Sequence, residues 1–287
     1  MKSPRPFRTA PLRALMATLI AAAAVLASEA AADSIATDRA FLPAVHVNGA
    51  TGVFRTDVTI FNPDTSRHAV VKLYFAEAEK DGSTADGFQF ELAPRESQTL
   101  VDLLCDPSLW NYCSGGYGLL EVIGEDRTGH PTNLIVTSNT YNVAGAQAGT
   151  YGQFIPGQPY RKALGFDDSV RGDLYTIGLP ADPVYRVNAV VMNPTDRWLE
   201  AGVQLVDGAG YRYGTRIKDV PPYSMVQMND VFGKEFAAFG PFPEQYGPYR
   251  LTFFVNLANG ARVLGYATIT DTRTGDPYLV TAEPVEP

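Results

Sequence analysis

Arg55-Thr56-Asp57-Val58-Thr59-Ile60-Phe61-Asn62-Pro63 returns further along the chain as Arg186-Val187-Asn188-Ala189-Val190-Val191-Met192-Asn193-Pro194. In both stretches apolar and polar residues alternate and the pattern then breaks at Asn-Pro, which is how a half-buried strand running into a turn is written. The match extends further along the chain. Leu92-Ala93-Pro94 and Leu100-Val101-Asp102-Leu103 align at one constant offset with Val220-Pro221-Pro222 and Met228-Asn229-Asp230-Val231. Leu120-Glu121-Val122 pairs with Leu251-Thr252-Phe253, and the run from Ile135 to Thr140 pairs with that from Leu264 to Ile269. A period of about 130 residues is too long for a solenoid repeat and matches a whole domain. The chain is a tandem duplication, and each copy is expected to have its own core.

In copy one the candidate strands are Phe41 to Val47, Val53 to Phe61, Ala69 to Phe75, Phe88 to Leu92, Gln98 to Leu103, Gly118 to Ile123, Asn133 to Tyr141 and Tyr151 to Ile155. Asn48-Gly49, Asn62-Pro63-Asp64, Asp81-Gly82, Ser114-Gly115-Gly116 and Ala144-Gly145 punctuate them. Copy two repeats the layout from Leu174 to Ala282. Long helical periodicity is absent, and the chain has 26 Gly and 21 Pro. The pattern predicts an all-β protein of two tandem immunoglobulin-like β-sandwich domains, residues 34–158 and 174–287, with a polar linker over 159–173. A linker this short predicts sandwiches set end to end with limited hinge freedom, with a stable interface between them as the alternative.

Residues 1–30 read as a secretory signal peptide that is removed. Lys2, Arg5, Arg8 and Arg13 precede an apolar run from Ala14 to Ala27, and Ser28-Glu29-Ala30 or Ala30-Ala31-Ala32 supplies a small-x-small cleavage pattern. The run is shorter than the roughly 20 residues a bilayer span needs, so no membrane span is expected after processing. The expected location is therefore periplasmic or extracellular. The chain carries a formal net charge of −8, and losing the basic leader makes it more acidic still. An acidic surface without a basic cluster argues against nucleic acid and anionic membranes, which need Lys or Arg to neutralise phosphate.

Cys105 and Cys113 are the only cysteines, and in an exported protein a disulfide between them is expected. It would close a short loop and contribute somewhat under about 3 kcal/mol by the chain-entropy estimate. Copy two lacks both cysteines, and its equivalent stretch, Val231 to Phe239, reads as a short helix over the core.

Gly149-Thr150-Tyr151-Gly152-Gln153-Phe154-Ile155-Pro156, following Phe54-Arg55-Thr56-Asp57 and Phe61-Asn62-Pro63, resembles a segment that recurs, usually in tandem, in bacterial secreted proteins of unknown function. Thr270-Asp271-Thr272-Arg273-Thr274-Gly275-Asp276-Pro277 resembles the ending of that family's second copy. The likeness covers nearly all of the mature chain. It implies an immunoglobulin-like fold and carries no catalytic residue across.

Chemistry-bearing constellations are few. His46, His68 and His130 fall on different strands or turns without metal-ligand spacing, and no serine sits in a Gly-x-Ser-x-Gly elbow. Glu77, Glu79 and Asp81 read as a solvated hairpin edge that discourages sheet-to-sheet pairing. Asp57 has Asn188 at its equivalent place, so a hydrogen bond to a turn explains both better than acid or base catalysis does. Arg55 with Asp102, and Arg186 with Asp230, are candidate structural ion pairs at equivalent positions of the two copies. Asp81 to Gly87 and Asp271 to Asp276 are oxygen-rich but match no EF-hand spacing and read as Asp-Gly turns. Arg171-Gly172-Asp173 matches a receptor-read tripeptide by three residues only. Tyr211, Tyr213, Tyr223, Tyr246 and Tyr249 crowd the turns of copy two and are candidate binding aromatics, with packing as the competing explanation.

The expectation is a non-enzymatic, secreted binding, adhesion or scaffold protein with no catalytic residues, cofactor or metal, meeting a protein or glycan partner at the cell surface. A carbohydrate-binding module and a periplasmic chaperone-like two-domain protein are the alternatives.

Overall fold

Alternating runs give strands with one buried face, and unbroken apolar runs give strands buried on both. Both kinds are present in the computed structural model, which describes residues 36–49, 52–143, 151–166 and 173–284. The leader, the Ala144-Gly145 turn, Gly149-Thr150 and Arg171-Gly172 lie outside these residues.

The first half contains β1 (Arg39–Gly49), β2 (Gly52–Phe61), β3 (Ala69–Glu77), β4 (Gly87–Leu92), β5 (Ser97–Leu100), β6 (Gly116–Glu125), β7 (Ile135–Asn142) and β8 (Tyr151–Pro156). The joining segment holds β9 (Gln158–Pro159) and β10 (Leu164–Gly165). The second half contains β11 (Leu174–Leu179), β12 (Tyr185–Asn193), β13 (Leu199–Val206), β14 (Arg212–Val220), β15 (Ser224–Met228), β16 (Tyr249–Val255), β17 (Arg262–Asp271), β18 (Pro277–Thr281) and β19 (Glu283–Pro284). All strand pairs among the described residues are antiparallel.

The two halves share one pairing scheme. In the first, β1 pairs with β6 and, at its end, with β2, so a single sheet folds over into two layers, β4-β3-β6-β1 and β5-β2-β7-β8; in the second, β14-β13-β16-β11 and β15-β12-β17-β18 are separate sheets. The interlocked second–fifth and third–sixth pairs are those of an immunoglobulin sandwich. Here, however, the first strand lies beside the sixth and the seventh beside the second. The duplication read from Arg55 to Pro63 and Arg186 to Pro194 is thus a duplication of topology: β2 and β12 sit at the same place in their sheets.

Each half has its own core. Leu42, Ile60, Leu73, Leu92, Leu120 and Val136 fill the first, and Val191, Val203, Leu205, Tyr249, Leu251 and Phe253 fill the second. A third apolar cluster joins them. Phe41 of β1 and Leu119 of β6 meet Val190 and Met192 of β12, Met225 of β15, and Leu264 and Tyr266 of β17, with Ala163 from the joining segment. These side chains point away from the sandwich interiors, because Leu42, Leu120, Val191 and Val263 point inward and neighbours on a strand alternate. The outer face of β4-β3-β6-β1 therefore packs against that of β15-β12-β17-β18. The halves stack face to face, which corrects the end-to-end expectation.

Polar contacts seal this junction. Glu79 N donates to Met225 O (3.0 Å), Gly82 N to Pro222 O (2.8 Å), Ser224 Oγ to Glu77 O (3.1 Å), and Gln158 Nε2 to Gly265 O (3.3 Å). The joining segment is drawn into both halves, since β9 pairs with β1 and β10 with β17.

Candidate functional site

The polar residues singled out in copy one converge at one end of the first sandwich. Asp102 has a positive φ of 45° at the turn after β5, where its backbone N donates to Asp57 Oδ1 (2.8 Å). Its carboxylate lies 2.7 Å from His46 Nδ1 through Oδ1 and 3.3 Å from Arg55 Nε through Oδ2. Arg55 also donates to the carbonyls of Val47 (3.2 Å) and Phe54 (2.8 Å) and to Asn48 Oδ1 (2.6 Å). Tyr141 OH donates to Asp57 Oδ1 (3.1 Å), and burial is the main cause that raises the phenol pKa. His46 is 3% exposed. The cluster therefore fixes the turn that leads into the Cys105–Cys113 disulfide loop.

Copy two keeps half of this arrangement. Asp230 N donates to Asn188 Oδ1 (3.0 Å), so Asp57 and Asn188 do the same work on equivalent turns. The Arg186 to Asp230 pair does not form among the described residues. Arg186 is exposed, and the Asp230 carboxylate accepts instead from Gly233 N (3.0 Å), capping the π-helical turn Val231–Glu235. That turn and the short 3₁₀ helix Ala237–Phe239 supply the helical cover expected there, burying Val231 and Phe236. A carboxylate committed to a helix N-terminus is unavailable to a strand arginine on the other side of the turn.

The candidate tyrosines divide into three groups. Tyr249 is fully buried and Tyr213 packs on it and on Phe242, with ring centroids 5.9 and 5.1 Å away; both belong to the core. Burial raises the Tyr249 hydroxyl pKa far above its ordinary value. Tyr223 lies at the junction between the halves, beside Arg39. Tyr211 and Tyr246 are exposed, 64% and 47%, at the far end of the second sandwich. Their loops are tied together by Gly208 N donating to Tyr246 O (2.8 Å), and the first loop closes on itself through Asp207 N to Tyr211 O (3.0 Å). Asp207, itself buried, accepts from Tyr211 N (2.8 Å), and the Tyr211 ring stands edge-on to Tyr213 at 5.0 Å. Two solvent-facing aromatic rings thus rest on a fixed base.

The junction carries one site the sequence reading passed over. Arg39 and the buried Glu121 form an ion pair, and the guanidinium stacks on Tyr160 at 4.7 Å and on Phe41 at 5.3 Å. Burial raises the Glu121 carboxyl pKa while Arg39 opposes it. A cavity of about 240 Å³ opens beside this pair, lined in part by Tyr74, Ser83 and Tyr223. The only advance signal was Glu121 standing inside the apolar run from Gly118 to Ile123, a charge that must find a partner.

Elsewhere acidic side chains close turns. Asp81 accepts from Ser83 N (2.8 Å). Asp126 is held down to about 2, first by Thr128, and Asp271 to about 2, first by Arg273. Glu77 pairs with Lys80, and the backbone of the turn that follows docks on the second half as described above. His68 lies 3.9 Å from Glu91, and His130 3.7 Å from Asp126. Among the described residues no helix is long and apolar enough to cross a membrane. No family model matches the chain, and no curated protein matches it.

Proposed function

We propose that this chain is an exported, non-enzymatic binding protein whose contact surface is the aromatic end of the second sandwich. The observation that carries the reading is the pair Tyr211 and Tyr246: two large, solvent-facing rings on loops hydrogen-bonded to each other, with Tyr211 resting on the partly buried Tyr213, itself packed on Phe242 and the buried Tyr249. Rigid exposed tyrosines offer contact area at low conformational cost and are favoured where proteins meet protein or sugar partners. The groups with catalytic chemistry support the same reading, since His46, Asp102, Asp57 and Arg55 bind one another and the backbone of a turn.

A protein partner at the cell surface is the reading adopted, with a glycan as the alternative. Mature protein is probed against a glycan array and, separately, by cross-linking to the surface of the source cells, each with a Tyr211→Ala/Tyr246→Ala variant as control. Specific cross-linking that falls at least about tenfold in the variant supports the proposal, a loss of about 1.4 kcal/mol. Enrichment on glycans with the same loss selects the alternative. Labelling identical in both forms, or turnover in broad hydrolase assays, removes the proposal.

A further inference from the structure

We propose that the Cys105–Cys113 disulfide is the oxidised form of a zinc site whose ligands are Cys105, Cys113, His46 and Asp102. His46 Nδ1, a carboxylate oxygen of Asp102 and Cys105 Sγ all lie within 4.8 Å of one another. Cys113 Sγ is bonded to that same sulfur. Tetrahedral zinc with bonds of 2.0–2.3 Å sets its ligand atoms about 3.3–3.8 Å apart. To reach that spacing the sulfurs part, the His46 to Asp102 contact opens by about half an ångström, and any separation near the 4.8 Å limit closes by about 1 Å.

The surroundings hold each donor without the covalent bond. His46 is buried on β1, in register with Gly116 of β6. Asp102 is anchored through its backbone N to Asp57, and Arg55 occupies Oδ2, leaving Oδ1 toward His46; a second group that orients a ligating carboxylate is what metal sites use. The loop between the cysteines is closed by Leu109 N to Asp106 O (3.1 Å), Asn111 N to Asp106 O (3.1 Å) and Tyr112 N to Leu104 O (2.6 Å). Trp110 pins it further against Phe75 and Phe88. Copy two supplies the contrast. It has no cysteine and no histidine, and Asp230 turns to cap a helix. The nitrogen and sulfur donors occur together in one copy and are missing together from the other.

The chemistry balances with a dithiol as reductant. Its two hydrogens pass to Cys105 and Cys113 as the S–S bond breaks, and it closes to its own disulfide. Zinc then displaces the two thiol protons to solvent and binds His46 as neutral imidazole.

The test is a cobalt(II) titration of the full mature chain, before and after reduction with a phosphine, followed by displacement with zinc. Near-ultraviolet circular dichroism is recorded alongside. Reduced protein is expected to keep its near-ultraviolet signal and to bind one cobalt with the thiolate charge-transfer band and the visible bands of a tetrahedral site. Oxidised protein is expected to give none. His46→Gln and Asp102→Asn should each weaken binding at least about tenfold while retaining the near-ultraviolet signal of the reduced wild type. Three results would each overturn the proposal: no stoichiometric band, loss of tertiary signal on reduction, or equal affinity in both variants, which would mean a bare dithiol pair.

Discussion

Leu264→Ala, a change made wholly within the second half, should destabilise the first. Leu264 is fully buried in the cluster where β1 and β6 meet β12, β15 and β17. Phe41, Leu119, Val190, Met192, Met225, Leu264 and Tyr266 are each at most 3% exposed there. At about 1.5–3 kcal/mol for each such side chain, the junction is worth on the order of 10–20 kcal/mol as an upper bound. That equals or exceeds the roughly 5–15 kcal/mol by which a typical domain is stable, so neither half should unfold while the other stays folded. In a Trp198→Phe background, urea unfolding is followed by Trp110 fluorescence for the first half and by hydrogen exchange in β13 and β16 for the second. The wild type should give one shared transition, and Leu264→Ala should lower it by about 2–5 kcal/mol on both probes. A Trp110 midpoint left unmoved, or two separate midpoints in the wild type, would refute the coupling.

Three further outcomes follow from the geometry. Asn62→Ala and Asn193→Ala should each cost about 2–4 kcal/mol in denaturant unfolding, because each fully buried amide donates to three carbonyls that the alanine leaves bare. Arg55→Gln should cost about 1–2 kcal/mol and Arg186→Gln less than about 0.5 kcal/mol, since only the first arginine is bound to a carboxylate and to backbone carbonyls; equal costs would contradict the asymmetry. Asp126 and Asp271 titrate near 2 when folded, below the roughly 3.9 of an unfolded aspartate. Their contribution is full above that unfolded value and lost as pH falls through about 2. Asp126→Asn/Asp271→Asn should therefore flatten the acid side of the stability profile without changing its neutral slope.

The strands, the turns and the duplication were legible because they depend on local pattern: alternation, Asn-Pro and Asp-Gly punctuation, and one constant offset. The equivalence of Asp57 and Asn188 was legible for a different reason. A position that accepts either a carboxylate or an amide needs an acceptor oxygen and no charge, and each supplies one to the N–H of its turn. Two kinds of feature were harder. The Arg186 pair failed because alignment equates positions, while the direction of the Asp230 side chain is set by the helical turn that only copy two possesses. Among the tyrosines, residue type does not separate Tyr249, in the core at the start of β16, from Tyr211, in solvent just before β14, since the distinction depends on where each falls in the sandwich.

The stacking of the halves was nevertheless written in the sequence. A sandwich strand with one wet face alternates, as β2 does with buried Thr56, Val58 and Ile60 between half-exposed neighbours. Its counterpart β12 does not alternate: Val187, Ala189, Val190, Val191 and Met192 are all buried, and Leu264, Tyr266 and Ala267 of β17 repeat the pattern. Runs of that kind mark strands covered on both faces. The difference between β2 and β12, at equivalent places in a duplicated sandwich, therefore identifies which outer face each copy buries. In the first copy the covered sheet is the one containing β6, whose Leu119, Leu120 and Val122 are buried in succession around Glu121. In the second it is the sheet containing β12. The duplicate halves thus meet through non-equivalent sheets, a heterologous contact, and a junction of that kind does not require both copies to keep the same outer surface. That freedom accounts for how far the copies differ where they do not touch: a disulfide loop closes one sandwich end, and a π-helical turn with an aromatic platform closes the other.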